Sequence, residues 1–167
     1  MINNKIFDVC FKNLIEKEGG YSDDPQDNGG KTKYGISQLS YPNLNILTLT
    51  LEDAKNIYFK DFWVAYKCEQ IKNEDLVSLY FNSCVNMGGR QAVKILQKAL
   101  NYFSLKVNVD GIMGQQTIAA ISNLSISETT YCISFYKLEL SKYYLSLVNE
   151  KSSNIKFLKG WLNRILN

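Results

Sequence analysis

Glu18-Gly19-Gly20-Tyr21-Ser22-Asp23-Asp24-Pro25-Gln26-Asp27-Asn28-Gly29-Gly30-Lys31-Thr32-Lys33-Tyr34-Gly35-Ile36-Ser37 is a stretch that no packed helix or central strand accommodates, because carboxylates, glycines and a proline crowd into it. It reads as a polar, bent loop. Immediately before it, Phe7, Cys10, Phe11 and Leu14 recur at intervals of three and four, which predicts one face of a helix from Ile6 to Glu18. Glu18 is the next position on that stripe. A carboxylate that continues an apolar face either sits at the wet end of its helix or is aimed at a cleft, and Gly19 and Gly20 supply the stop.

The 167 residues suit one domain, or one lobe with a closely packed extension. Apolar residues at 46% and charged residues at 21% are ordinary globular usage. A net charge of +3 without interleaved basic and aromatic runs argues against nucleic acid as a partner. The basic tail Lys151, Lys156, Lys159 and Arg164 reads as a solvated helix face, or as a surface attracted to an anionic polymer. Cys10, Cys68, Cys84 and Cys132 are too scattered for a disulfide scaffold and are expected as buried thiols. Residues 1–11 have no continuous apolar core of a secretory signal, and no segment is long enough to span a bilayer, so no stable membrane insertion is expected.

The chain contains no histidine. Ser-His-Asp triads, the usual Cys-His pairs and histidine-containing zinc hydrolase sites are therefore excluded, and neither a metal nor a cofactor is expected. Acid and base work falls to carboxylates.

Further along, Thr50 reads as the N-cap of a helix from Leu51 to Trp63, with Ala54, Ile57, Tyr58 and Phe62 inward. A helix from Glu74 to Met87 buries Leu76, Leu79, Tyr80 and Cys84, and Gly88-Gly89 closes it. Another from Arg90 to Phe103 buries Val93, Leu96, Leu100 and Phe103. A glycine-punctuated turn at 109–117 leads into a short helix with Ile118, Ile121 and Leu124. Ser127 is read as the cap of a long helix to Val148, with Tyr136, Leu140, Tyr143 and Leu147 on one face, and Phe157 to Leu166 as a last helix. The segment 33–39 could form a strand or a small hairpin. The predicted class is mainly α.

Glycosidic cleavage by carboxylates divides two roles: one group donates a proton to the leaving oxygen, another stays ionised to activate water or steady positive charge. Glu18, at the end of an apolar stripe, would have its charged form disfavoured by desolvation and is the natural acid. Asp23, Asp24 and Asp27 lie in a polar loop and should stay ionised. The same aspartates are also ordinary turn formers, and a calcium loop is disfavoured by the lack of the distal glutamate.

The run Glu18-Gly19-Gly20-Tyr21, Asp24-Pro25, Asp27, Gly29-Gly30, Thr32 and Tyr34-Gly35-Ile36-Ser37 closely resembles the signature of glycoside hydrolase family 108, lysozyme-like N-acetylmuramidases of phage endolysins and bacterial secretion activators. The likeness extends through 51–63, 81–88 and Gly160-Trp161-Leu162-Asn163-Arg164. It implies a lysozyme-like helical domain with a small loop or hairpin at the active site and a packed C-terminal helical portion. It also implies cleavage between N-acetylmuramic acid and N-acetylglucosamine, with Glu18 as catalytic acid. The eight residues between Glu18 and Asp27 resemble the spacing of phage-type lysozymes, which favours Asp27 over Asp24 as second carboxylate. Tyr21, Thr32 and Tyr34 then shape the cleft, with Asn82 and Asn86 as further substrate contacts.

Where the family often has Phe-Asp, this chain has Phe81-Asn82, and an amide can hydrogen-bond but cannot act as a base. The segment Asp110-Gly111-Ile112-Met113-Gly114-x-x-Thr117 resembles a peptidoglycan-binding pattern and is equally a tight turn before a helix. The expected organisation is a catalytic lobe at 1–89 and a peptidoglycan-binding-like portion at 90–167, in a monomer that acts on peptidoglycan glycan strands. With no signal segment, the protein would be made in the host cytoplasm and reach the periplasm or wall after holin-dependent or other export. The rival readings are a lytic transglycosylase and a non-catalytic wall-binding or secretion-helper protein.

Overall fold

The computed structural model describes residues 4–18 and 31–166, with 17 and 18 described as helical backbone. Among these residues are seven α-helices and one two-stranded antiparallel sheet, so the mainly α class holds. No helix among them is long and apolar enough to cross a membrane. The chain packs as two compact units, Met1–Ala65 and Tyr66–Asn167.

In the first unit, α1 (Lys5–Glu18) buries Phe7, Cys10, Phe11 and Leu14, the stripe legible in the sequence. Asn4 caps it by accepting the Phe7 N–H at 3.1 Å. The strands β1 (Thr32–Lys33) and β2 (Ile36–Ser37) make the expected hairpin, with Thr32 opposite Ser37 and Lys33 opposite Ile36. Helix α2 (Leu51–Tyr58) begins with a reciprocal cap: Thr50 Oγ1 accepts from the Asp53 N–H at 3.1 Å, and Asp53 Oδ2 accepts from the Thr50 N–H at 3.0 Å.

The predicted single helix from Leu51 to Trp63 instead widens into a π-helical turn at Phe59–Val64, where the Ala65 N–H reaches the Lys60 carbonyl at 3.3 Å. Five-residue spacing rotates the side chains that follow. Trp63 is therefore buried and Phe62, expected inward, is half-buried; Ile57, which precedes the turn and was also expected inward, is half-buried too. The Phe7 ring meets Phe59 at 5.0 Å and Trp63 at 5.3 Å, both edge to face, a favourable aromatic geometry.

In the second unit, α3 (Glu74–Met87) is capped by Asn73 and followed after a single residue, Gly88, by α4 (Gly89–Asn101). A Cβ on Gly89 would lie 2.2 Å from ring atoms of Tyr66, so only glycine lets that ring close over the start of α4. Helices α5 (Gln115–Ser122), α6 (Ile126–Glu150) and α7 (Ile155–Leu166) complete the unit. The cap of α6 is Ser125 rather than Ser127, because only Ser125 has a glutamate three residues on. Glu128 N–H donates to Ser125 Oγ at 3.3 Å and Ser125 N–H donates to Glu128 Oε2 at 2.8 Å.

The face that α6 buries is Cys132, Tyr136, Leu140 and Tyr144, a strict four-residue row; Tyr143 and Leu147, read as inward, are half-buried. Such a row slants slowly around a helix and makes the ridge that neighbouring helices pack against. Tyr144 meets α7 through Trp161, whose ring stacks on it at 5.0 Å and 18°. All four cysteines are buried, as expected, and burial pushes the Cys132 thiol up to about 12.

The motif at 110–117 closes around one buried amide. Gln97 on α4 is 1% exposed; its Nε2 donates to Asp110 Oδ1 at 2.8 Å, to the Ile112 carbonyl at 3.1 Å and to Thr117 Oγ1 at 3.1 Å. Its Oε1 accepts the Gly111 N–H at 2.9 Å. Gly111 has φ +78°, and a Cβ there would meet the Arg90 carbonyl oxygen at 2.8 Å. Aspartate, glycine and threonine in this motif are thus used to build the turn.

Gln97→Leu leaves the buried Gly111 N–H without its partner and removes the donor to Asp110, Ile112 and Thr117, and should destabilise by about 2–3 kcal/mol, seen as a lower urea midpoint. An unchanged midpoint would contradict this account of the turn. Hydrogen bonds from the Gln97 amide and then the Ile112 N–H hold the Asp110 carboxyl below its ordinary 3.8. The stability it contributes is present above that value and is lost as pH falls through the lower folded one. Asp110→Asn should therefore flatten the acid limb of a stability-against-pH curve.

Candidate active site

Glu18 is the last residue of α1, where the sequence placed it. Tyr21, Asp24 and Asp27 lie outside the described residues, as does the other loop aspartate, Asp23. Thr32 and Tyr34 are brought together by the hairpin and are both half-buried. Tyr34 and Gly35 occupy its turn with φ of 54° and 76°, the positive pair that matches the twist of a two-residue hairpin.

Two contacts fix this hairpin to the rest of its unit, one to helix α2 and one to the turn that precedes it. The Tyr58 hydroxyl on α2 donates to the Tyr34 carbonyl at 3.0 Å, and Ile36 is buried beneath it. Lys33 Nζ donates to the Leu47 carbonyl at 3.2 Å and lies 5.5 Å from the Tyr34 ring centroid, within range of a cation–π contact. Behind the hairpin, Gln38 Nε2 ties the carbonyls of Tyr41, Pro42 and Leu44 together. The Tyr41 hydroxyl donates to Asp61 Oδ2 at 2.9 Å; burial and then that carboxylate push its pKa well above the ordinary value, which keeps it a proton donor. The hairpin and the segment that follows it are therefore held by hydrogen bonds to backbone carbonyls and to a carboxylate.

Along α1 a cleft of about 500 Å³ opens against α2, lined by Phe11, Ile15 and Leu51 with Asp8, Lys12, Glu16, Glu52 and Lys55 around them. Lys55 Nζ bridges to Asp8 Oδ1 at 2.9 Å, which ties the two helices and raises the lysine pKa. None of these residues stood out in the sequence as a site.

In the second unit, Asn82 and Asn86 share one face of α3 by their four-residue spacing, and both are half-buried. Asn86 Nδ2 donates to the Asn82 carbonyl at 2.8 Å and also to Asn82 Oδ1. The guanidinium of Arg164, on α7, donates from Nη1 to Asn86 Oδ1. The sequence placed Arg164 in a basic tail and in the family-like stretch 160–164, without linking it to Asn86. The usable signal was its place three residues after Trp161, on the helix face that docks onto α6.

Residues 11–88 match the family model Glycosyl hydrolase 108, and residues 91–166 match the model Predicted Peptidoglycan domain. No curated protein matches the chain. The structure of Brucella abortus SagA is similar, with a TM-score of 0.78 and 23% sequence identity over 96% of this chain and 90% of that one. At that identity the likeness establishes the fold alone.

Removing the Tyr58 hydroxyl tests the support of the hairpin. Tyr58→Phe should cost about 1 kcal/mol and lower Tm by about 3 °C, whereas no change would mean that the Tyr34 carbonyl is equally well served by water.

The two matches fall on consecutive stretches of a mainly α structure: residues 11–88 are similar to glycoside hydrolase family 108, a glycosidase family, and residues 91–166 to a predicted peptidoglycan domain.

Proposed function

We propose that the protein is an N-acetylmuramidase that hydrolyses the glycosidic bond between N-acetylmuramic acid and N-acetylglucosamine in peptidoglycan. The observation that carries this reading is the family match over residues 11–88, which spans Glu18 and the whole loop that follows it. In a chain without histidine, Glu18 at the end of the α1 stripe serves as the acid that protonates the leaving oxygen. Asp27, or failing it Asp24, stays ionised and supports the oxocarbenium-like state or activates water. Tyr21, Thr32 and Tyr34 shape the cleft, and Asn82 and Asn86 contact the glycan.

Residues 1–89 are assigned as the catalytic lobe and 90–167 as the portion that holds the wall. Charge supports that division of labour: residues 90–167 carry ten basic against four acidic side chains, whereas 1–89 carry nine against twelve. A basic surface suits a polymer studded with stem-peptide carboxylates. The protein acts as a monomer on glycan strands at the cell wall.

Glu18→Gln keeps the shape of the side chain and removes its acidity. It should lower reducing-end release from purified peptidoglycan by about 100-fold or more, with circular dichroism and Tm unchanged. A folded Glu18→Gln variant with near-wild-type turnover would remove Glu18 from the mechanism.

A further inference from the structure

The run from Arg164 through Asn86 to Asn82 fixes the orientation of two amides. Arginine has donors only, so the atom of Asn86 that faces Arg164 Nη1 must be its oxygen. The Asn86 nitrogen then faces Asn82 and donates both to its carbonyl and to its side-chain oxygen. Asn82 Oδ1 is used inward, and the outer end of the run is Asn82 Nδ2 with two protons to donate. Among the described residues no acceptor meets that nitrogen, and the side chain is half-buried rather than free in solvent. A guanidinium thus sets the polarity of an amide it does not touch.

The support for Arg164 is built into the helical core. Trp161, one turn earlier on α7, stacks on Tyr144 of α6. The positive charge of Arg164 is close enough to Tyr144 to oppose the upward shift that burial imposes on that hydroxyl. An arginine placed this way is preorganised, and its charge strengthens the hydrogen bonds that follow from it.

A donor of fixed polarity discriminates only against groups of fixed polarity. Glycan hydroxyls both donate and accept, and so do not distinguish an amide nitrogen from a carboxylate oxygen. The acetamido carbonyl oxygen of an N-acetylhexosamine accepts only. We propose that Asn82 positions the glycan by donating from Nδ2 to an acetamido carbonyl, and that Arg164 is a positioning residue acting through Asn86; the proposal rests on the peptidoglycan reading above. An aspartate at 82 would still accept from Asn86 and would present an anionic oxygen in place of the donor, favouring the free ammonium of a de-N-acetylated sugar.

The test uses the full-length chain with soluble peptidoglycan glycan fragments, either N-acetylated or chemically de-N-acetylated. Affinity is measured by calorimetry and turnover by reducing-end release. Wild type should prefer the acetylated fragments, and Asn82→Asp should bind them about tenfold more weakly while holding the de-N-acetylated fragments at least as well as wild type does. Arg164→Met, which frees both amides to turn over, should raise KM on acetylated glycan more than it lowers kcat, and Arg164→Lys should recover part of the loss because a donor returns. Its effect should shrink in the Asn82→Asp background.

Equal loss on both glycans, or no loss, in a folded Asn82→Asp variant would overturn the proposal. So would a wild type that binds neither glycan. A wild type that binds acetylated fragments but releases no ends would count against hydrolysis instead, and the affinity comparison would still decide the role of Asn82.

Discussion

The second unit depends on one buried row, Cys132, Tyr136, Leu140 and Tyr144 of α6. Tyr136 is fully buried, and its hydroxyl donates to the Ala92 carbonyl of α4 at 3.3 Å, so even the polar end of that ring is tied to a neighbouring helix. Trp161 of α7 stacks on the last residue of the row. Because α3 and α4 meet at Gly88, fixing α4 also fixes the end of α3 that carries Asn82 and Asn86. The meeting of Arg164 with Asn86, 78 residues apart, is a consequence of this packing. No local preference of either segment would produce it.

Hydrogen-bond polarity does much of the work that titrating groups do elsewhere. With histidine absent, the polar sites use amides and hydroxyls whose direction is set by a neighbour of unambiguous character. Arg164 sets Asn86 and Asn82, and Asp61 makes Tyr41 a donor. Gln97 is held by the Gly111 N–H on its oxygen and by Asp110 on its nitrogen. Each of these groups costs free energy when buried without its partner, so they specify one arrangement more sharply than an apolar contact would.

Periodic features were legible in the sequence because they are local. The α1 stripe, the Thr50 cap, the hairpin near 33–39 and the position of Glu18 at a helix end could all be read from spacing. What was missed depends on tertiary structure. The widened turn at Phe59–Val64 replaced Phe62 with Trp63 in the core, and the choice of Tyr144 over Tyr143 is made by Trp161. Gln97 sits where periodicity expects an apolar residue, and only the fold shows what its amide serves. Asn82 and Asn86, named from the family resemblance, meet because four-residue spacing puts them on one face of α3, but the residue that orients them comes from the far end of the chain.

Hydrolysis at the reducing side of N-acetylmuramic acid, as proposed above, is decided by the chemical identity of the ends released from purified peptidoglycan. Mass spectrometry before and after borohydride reduction should find N-acetylmuramic acid at the new reducing ends, converted to its alditol by the reductant. Anhydromuramic ends that resist reduction, N-acetylglucosamine at the reducing ends, or intact sacculi would contradict it.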